Sequence, residues 1–236
     1  MSAFAQAELY FVDLTPPVVR TDAIQSFVSQ ETPILRLTDA DGATGTGNTY
    51  TIGAGGSSIV ALLNDHLLPR LQGRDLEDIE AIGHHLTRAV NALTVGPVVA
   101  LAMAAIDTAM WDLRCRRAGM PLHKAVGGAR NAVPVYTTEG GWLHLEPQAL
   151  VDDALASKAA GFQGAKVKLG KPSIRADVDR LAAVREAVGP AWHLMVDANQ
   201  AFRVDEVIRR AAAYEQVGLT WFEEPLPADP PRGVTA

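Results

Sequence analysis

Three short apolar segments late in the chain each end in charge, and their spacing leaves few folds open. They are Gly164–Gly170 (GAKVKLG), His193–Asp197 (HLMVD) and Leu219–Glu223 (LTWFE). Each is short, rich in β-branched or aromatic residues, and bounded by glycine or proline within a few positions, which is the pattern of a strand. Lys168 precedes Asp197 by 29 residues, and Asp197 precedes Glu223 by 26. That interval holds one crossover helix and the next parallel strand. Side chains alternate along a strand, so Lys166 and Lys168 share one face while Val167 takes the other. Two ammonium groups on one inward face are costly unless acidic groups meet them. Asp197 and Glu223 supply those groups from C-terminal strand ends, the end where barrel enzymes place their chemistry.

The same alternation extends back to Val133. The spacing predicts strands over 133–138, 166–169, 193–197 and 219–223, with helices over 147–160, 176–188 and 204–217 between them. Alternating strands and helices of these lengths mean a parallel β/α architecture, and charged strand ends favour a barrel over an open sheet. Before Val133 the texture differs. Residues 7–12, 26–30, 33–38 and 45–50 alternate like an antiparallel sheet, with a turn signal at Asp41-Gly42. Gly53–Ser58 precedes a helix over 59–68 but lacks the Lys-Ser/Thr ending of a phosphate loop, so it reads as a mobile loop with Ser57 or Ser58 capping that helix. Residues 74–92 carry helical apolar spacing, with His84 and His85 on the surface. A long apolar helix over 96–117 bears small residues where a neighbouring backbone can approach, and Gly119 and Pro121 stop it. Asp107 and Asp112 on this helix are too far apart in angle to share a metal and read as structural hydrogen-bond acceptors. The fold class is α/β: an N-terminal α+β domain over 1–130, a boundary at Gly127–Arg130, and the first half of a (β/α) barrel over 131–236.

Composition narrows the function. The formal net charge of −6 and the absence of a basic run argue against a nucleic-acid or anionic-membrane partner. Cys115 is the single cysteine, which excludes an intrachain disulfide and suits a reducing interior. The N-terminus lacks the basic region of a secretory signal, and the longest apolar run, 95–106, is too short to span a bilayer. A cytoplasmic protein is expected.

Asp197 and Glu223 offer hard oxygen ligands suited to Mg²⁺, and no Cys/His cluster supports zinc. A divalent ion beside two lysines suits binding a carboxylate and removing its α-proton, with the metal as Lewis acid and a lysine as base. A lysine base must fall from about 10.4 to about 7–8, roughly 4 kcal/mol. A second ammonium about 6.5 Å away at an effective dielectric of about 20 contributes about 2.5 kcal/mol. The i, i+2 spacing therefore has a reason: one lysine acts as base while the other depresses its pKa and holds the substrate. Taken singly, each piece has a plainer reading. K-x-K is commonly a solvated face, Asn199 a helix cap, and Glu224-Pro225 a loop. Their joint placement at three successive strand ends favours the chemical reading.

KVKLG, MVDANQ and WFEEPL, preceded by AAIDTAMWDLRCRRAGMPL, resemble the enolase superfamily and, within it, the mandelate racemase/muconate lactonizing enzyme family. The resemblance covers most of the chain. It implies a capping domain followed by a modified TIM-type barrel, and Mg²⁺-dependent abstraction of the α-proton of a carboxylate through an enediolate. The general use of Lys or His bases with Mg²⁺ in that superfamily is established. By the same resemblance Lys168 is the base and Lys166 its catalytic and substrate-binding partner. Asp197 and Glu223 are metal ligands, Asn199 touches substrate, and Glu224 lies behind the ligands. The loop 50–55 with Tyr50, and Tyr136 within 136–139, contact substrate. The substrate is an acid sugar or a 2-hydroxy acid, and the outcome dehydration or racemisation, with cycloisomerisation and epimerisation also open. A homo-oligomer is expected. A typical barrel takes about 250 residues, and here roughly a hundred follow the boundary. A third acidic ligand and a His-Asp pair would then lie past residue 236, and the proline-rich 227–233 would break a following helix. The alternative expectation is a catalytically incomplete fragment or pseudoenzyme that needs a partner chain.

Overall fold

The computed structural model of the chain describes residues 2–94 and 96–228. Val95 of the long apolar run, and 229–233 of the proline-rich segment, lie outside them. The chain forms two compact units, Met1–Pro17 with Phe27–Asn131, and Val18–Ser26 with Ala132–Ala236. No helix among the described residues is long and apolar enough to cross a membrane.

The strands begin with β1 (Phe4–Leu14), then a short ribbon of β2 (Arg20–Thr21) and β3 (Ser26–Phe27), then β4 (Gln30–Asp39) and β5 (Thr44–Asn48). In the first unit β1, β4 and β5 form an antiparallel sheet in the order β1-β4-β5. Alternation fixes its inner face: Leu35 and Leu37 are fully buried while Arg36 between them turns outward. Gly42, at φ +83°, makes the tight turn between β4 and β5, where Asp39 donates its N–H to the Ala43 carbonyl at 3.0 Å.

Among the described residues of this unit the α-helices are α1 (Gly56–Leu62), continued by π and 3-10 turns to Leu71, α2 (Ile79–Ala89), α3 (Pro97–Ala118) and α4 (Leu122–Ala125). The small residues of α3 do what their spacing suggests. A Cβ at Gly45 or Gly47 of β5 would strike the backbone carbonyl of Ala109 or Ala105, so helix and strand touch backbone to backbone. Asp112 accepts a hydrogen bond from the Thr46 amide at 2.8 Å, a structural role. The serine cap is corrected. The N-cap of α1 is Gly55, and Ser57 and Ser58 lie inside the first turn. The Glu31 carboxylate takes the capping role, accepting from Gly56 N at 2.9 Å and Thr51 Oγ1 at 2.6 Å, because an anion best satisfies the exposed N–H groups of a helix start.

In the second unit α5 (Pro147–Ala159), β6 (Gly164–Lys168), α6 (Ile174–Val188), β7 (His193–Asp197), α7 (Val204–Tyr214) and β8 (Phe222–Glu223) alternate as the spacing requires. The sheet is parallel, in the order β6-β7-β8. Val167, Leu194 and Val196 face a core completed by Leu181, Val184 and Tyr214 from the helices. Two strands are shorter than expected. The predicted strand 133–138 reduces to a parallel bridge, Thr137 with Ala165, plus hydrogen bonds from Gln163 N to Val135 O and from Lys166 N to Thr137 O, both at 2.9 Å. Pro134 has no N–H to give, and the side chains of Val133 and Val135 remain exposed. The predicted 219–223 strand pairs regularly only over Phe222–Glu223, although Thr220 N already donates to Leu194 O at 2.8 Å.

Candidate active site at the strand ends

The register of the parallel sheet sets Lys168 opposite Asp197, and Asp197 opposite Glu223. Lys166 and Lys168 project to the face away from Val167, as strand alternation demands. There the four groups meet. Lys168 Nζ donates to Asp197 Oδ2 at 2.8 Å, and Lys166 Nζ reaches the same oxygen at 2.9 Å and Glu223 Oε1 at 2.8 Å. Lys168 also donates to Asn199 Oδ1 at 2.8 Å. The lysine side chains are 11–12 % exposed, Asp197 2 % and Glu223 34 %.

Asp197 is thus a buried carboxylate with one oxygen shared by two ammonium groups. Its second oxygen accepts the Asn199 amide at 2.8 Å. Asn199 reaches that position with φ +46°, and Gln200 follows at φ +65°, a left-handed excursion that Asn tolerates better than most residues. Burial pushes the Asp197 carboxyl up, but the bonds from Lys168, Lys166 and the Asn199 amide outweigh it and hold the group below the usual carboxylate range. Burial likewise pulls Lys166 down, and the bonds from Glu223 and Asp197 outweigh it, leaving the lysine above its ordinary value. Each ammonium therefore faces carboxylate before it faces the other lysine.

The remaining predicted residues spread out. Tyr136 lies beside the sheet with its ring edge-on to Trp221 at 5.3 Å between centroids. Glu224, at φ +41°, turns from the cluster and takes a 3.4 Å bond from Gln200. Tyr50 is exposed, in the first unit. Asn199 does not cap a helix, since α7 begins at Val204 behind Arg203. Two tryptophans went unpredicted. Trp221 Nε1 donates to Glu223 Oε2 at 3.1 Å, a contact foreshadowed by the i, i+2 spacing on one strand face. Trp142 places its ring 5.6 Å from Lys168 Nζ and 5.5 Å from the Arg20 guanidinium, within cation–π range. It sits in a loop with no periodicity to reveal it.

The donor set fits a hard cation. Asp197 Oδ2 and Glu223 Oε1 converge on one point within 2.9 Å, a point held here by the Lys166 ammonium, which stands in for a metal's positive charge. Carboxylate oxygens suit Mg²⁺. Among the described residues, no group of three or more His, Cys, Asp or Glu forms a metal cage.

The chain as a whole has relatives. Residues 7–127 match the profile of the mandelate racemase/muconate lactonizing enzyme N-terminal domain, and residues 149–236 that of the enolase C-terminal domain-like family. The chain is 38% identical over 226 residues to 3,6-anhydro-alpha-L-galactonate cycloisomerase of Streptomyces coelicolor, covering 95% of this chain and 62% of that protein. It is 35% identical over 229 residues to L-talarate/galactarate dehydratase of Salmonella typhimurium, covering 95% and 57%. The crystal structure of a racemase from Streptomyces coelicolor with bound magnesium superimposes with a TM-score of 0.92 at 36% identity, over 96% of this chain and 64% of that one. The chain spans about three fifths of the length of the curated relatives it matches. With both domain profiles matched in order and the lysine and acid strand ends brought together by a parallel sheet, the chain belongs to the mandelate racemase/muconate lactonizing enzyme family of the enolase superfamily.

Proposed function

We propose that this chain carries the proton-abstracting part of a Mg²⁺-dependent site that removes the α-proton of a sugar-acid carboxylate, with dehydration as the outcome. The observation that carries the proposal is the convergence of Lys166, Lys168, Asp197 and Glu223 within hydrogen-bond reach at the C-terminal ends of three parallel strands. Residues 1–130 act as the capping domain and 131–236 as the partial barrel.

Asp197 and Glu223 would hold the metal. Bound Mg²⁺ supplies positive charge against the negative charge that develops on the substrate carboxylate. Lys168 takes the α-proton at Nζ, a position fixed by its bonds to Asp197 and Asn199 and by the Trp142 ring. Lys166, once a cation takes its place between the two carboxylates, contributes charge beside the substrate carboxylate. Asn199 and Tyr136 supply further contacts, and Glu224 supports the loop behind Glu223.

The names of the similar dehydratase and cycloisomerase favour sugar acids over simple 2-hydroxy acids. The cycloisomerase, at 38% identity, keeps isomerisation as a second reading. Another alternative is a catalytically incomplete form that needs a partner chain. A library of sugar acids incubated with the chain and Mg²⁺ tests the proposal. Appearance of a 2-keto product by semicarbazone absorbance supports dehydration, and a change of optical rotation without it supports isomerisation. Neither signal, together with no Mg²⁺ affinity, supports the incomplete fragment.

A further inference from the structure

Behind the lysine pair lies a buried charge cluster that takes no part in the chemistry above. Asp177 and Arg180 on α6 and Arg210 on α7 are all at least nine-tenths buried. A buried charge cluster is weak evidence for a stabilising role, since apolar side chains of similar volume often serve a core as well. The Nε of Arg180 is even left without a hydrogen-bond partner, although buried.

The contacts of the cluster run to the backbone around Lys168. Arg180 Nη1 donates to the Lys168 carbonyl at 3.2 Å, and its Nη2 donates to the Trp142 carbonyl at 3.1 Å. Trp142 is the residue whose ring faces the Lys168 ammonium. From the other side, Lys168 N donates to the Gly141 carbonyl at 2.7 Å, and a Cβ at Gly141 would strike the Lys166 carbonyl. Asp177 accepts the amides of Gly170 and Lys171 at 3.2 and 3.3 Å, while Arg210 donates to both Asp177 and the Lys171 carbonyl.

We infer that Arg180 is a positioning residue for Lys168, an inference that rests on the role proposed above for that lysine. One planar guanidinium ties the end of β6 to the loop that presents Trp142, and so fixes both the root of the Lys168 side chain and the ring its ammonium faces. Asp177 and Arg210 lock the following turn. A fork with two parallel donors does this; a lysine or an apolar residue of equal size does not.

The test uses the full chain with Arg180→Met, Arg180→Lys and Arg180→Ala. Amide hydrogen exchange in the Met and Lys variants is expected to speed up about tenfold at residues 141–143 and 168–171 and to keep its rate in β7 and α6. Mg²⁺ affinity by calorimetry stays within about threefold, and α-proton exchange on a sugar acid falls about 100-fold in kcat with KM little changed, the penalty of a misplacement near 1 Å. Guanidinium added to Arg180→Ala restores about tenfold of that loss. Unchanged protection at the two segments overturns the inference. So does protection lost across the whole unit, or a kcat loss that guanidinium does not restore. A wild-type chain that exchanges no α-proton overturns the proposed function instead. In that case local loss of protection still upholds Arg180 as the fixture of the lysine's strand end, and unchanged protection still overturns it.

Discussion

Lys166 Nζ meets Glu223 Oε1 at 2.8 Å across the full width of the three-stranded sheet, from β6 over β7 to β8. The bond forms only when both strand pairs are in register, because a one-residue slip would turn every side chain to the other face. It also places a cation where the two carboxylates converge, so on the metal-binding role proposed for them Lys166 and Mg²⁺ would compete for one position.

Replacing Lys166 with methionine removes that competitor. Mg²⁺ affinity is expected to rise about tenfold, equivalent to about 1.4 kcal/mol of relieved competition. Titration calorimetry of Lys166→Met beside the wild type measures it, and equal or weaker binding contradicts the convergence.

Asp197 is the hub of the ion-pair network. Its truncation leaves two nearly buried ammonium groups with fewer partners, so Asp197→Ala is expected to destabilise the chain by about 3–5 kcal/mol. Urea denaturation under metal-free conditions reads the change, and a loss below about 1 kcal/mol marks the pairs as solvent-screened instead.

The contact between β5 and α3 gives a test far from the site. Gly47→Ala drives a methyl into the Ala105 carbonyl and is expected to cost about 1–3 kcal/mol or more. Gly83, within α2 and with open space at its Cβ position, serves as the contrast. Gly83→Ala is expected to stabilise by about 1 kcal/mol through helix propensity. Thermal unfolding of the two variants should move in opposite directions.

Tyr214 gives a pH signature. Burial pushes its phenol from 10.0 up to about 12, against the opposing bond from Arg210. Above pH 10.0 the unfolded chain therefore holds fewer protons than the folded one. The contribution is fully present below that pH and fades as pH rises toward 12. Absorbance titration near 295 nm should show one of the four tyrosines ionising late, and Tyr214→Phe should remove both that step and its share of the alkaline loss of stability.

Much of this arrangement was legible in the sequence, for reasons that particular residues make plain. The period of two across Lys166, Val167 and Lys168 set the facing of the lysines, and the β/α interval set which acids would join them. The strand 193–197 and the stop of α3 at Gly119 followed from local propensity. The edge strand at 133–138 did not, because its regularity depends on neighbours that propensity cannot see. Nor did the assignment of Val18–Ser26 to the second unit, or the Trp142 ring beside Lys168, both products of loop geometry. The closeness with which Asp197 and Glu223 meet Lys166 was not legible either, since it depends on the side-chain paths across the sheet.

The central claim is that Lys168 takes the α-proton of a metal-held sugar acid. Proton NMR in deuterated water, with Mg²⁺ and a sugar acid such as galactarate, follows that proton directly. The wild-type chain should wash it out, while Lys168→Ala, with its Mg²⁺ affinity intact, should slow the wash-out by about a thousandfold, within the 10²–10⁴ range of a general base. Equal wash-out by the two proteins would contradict the account.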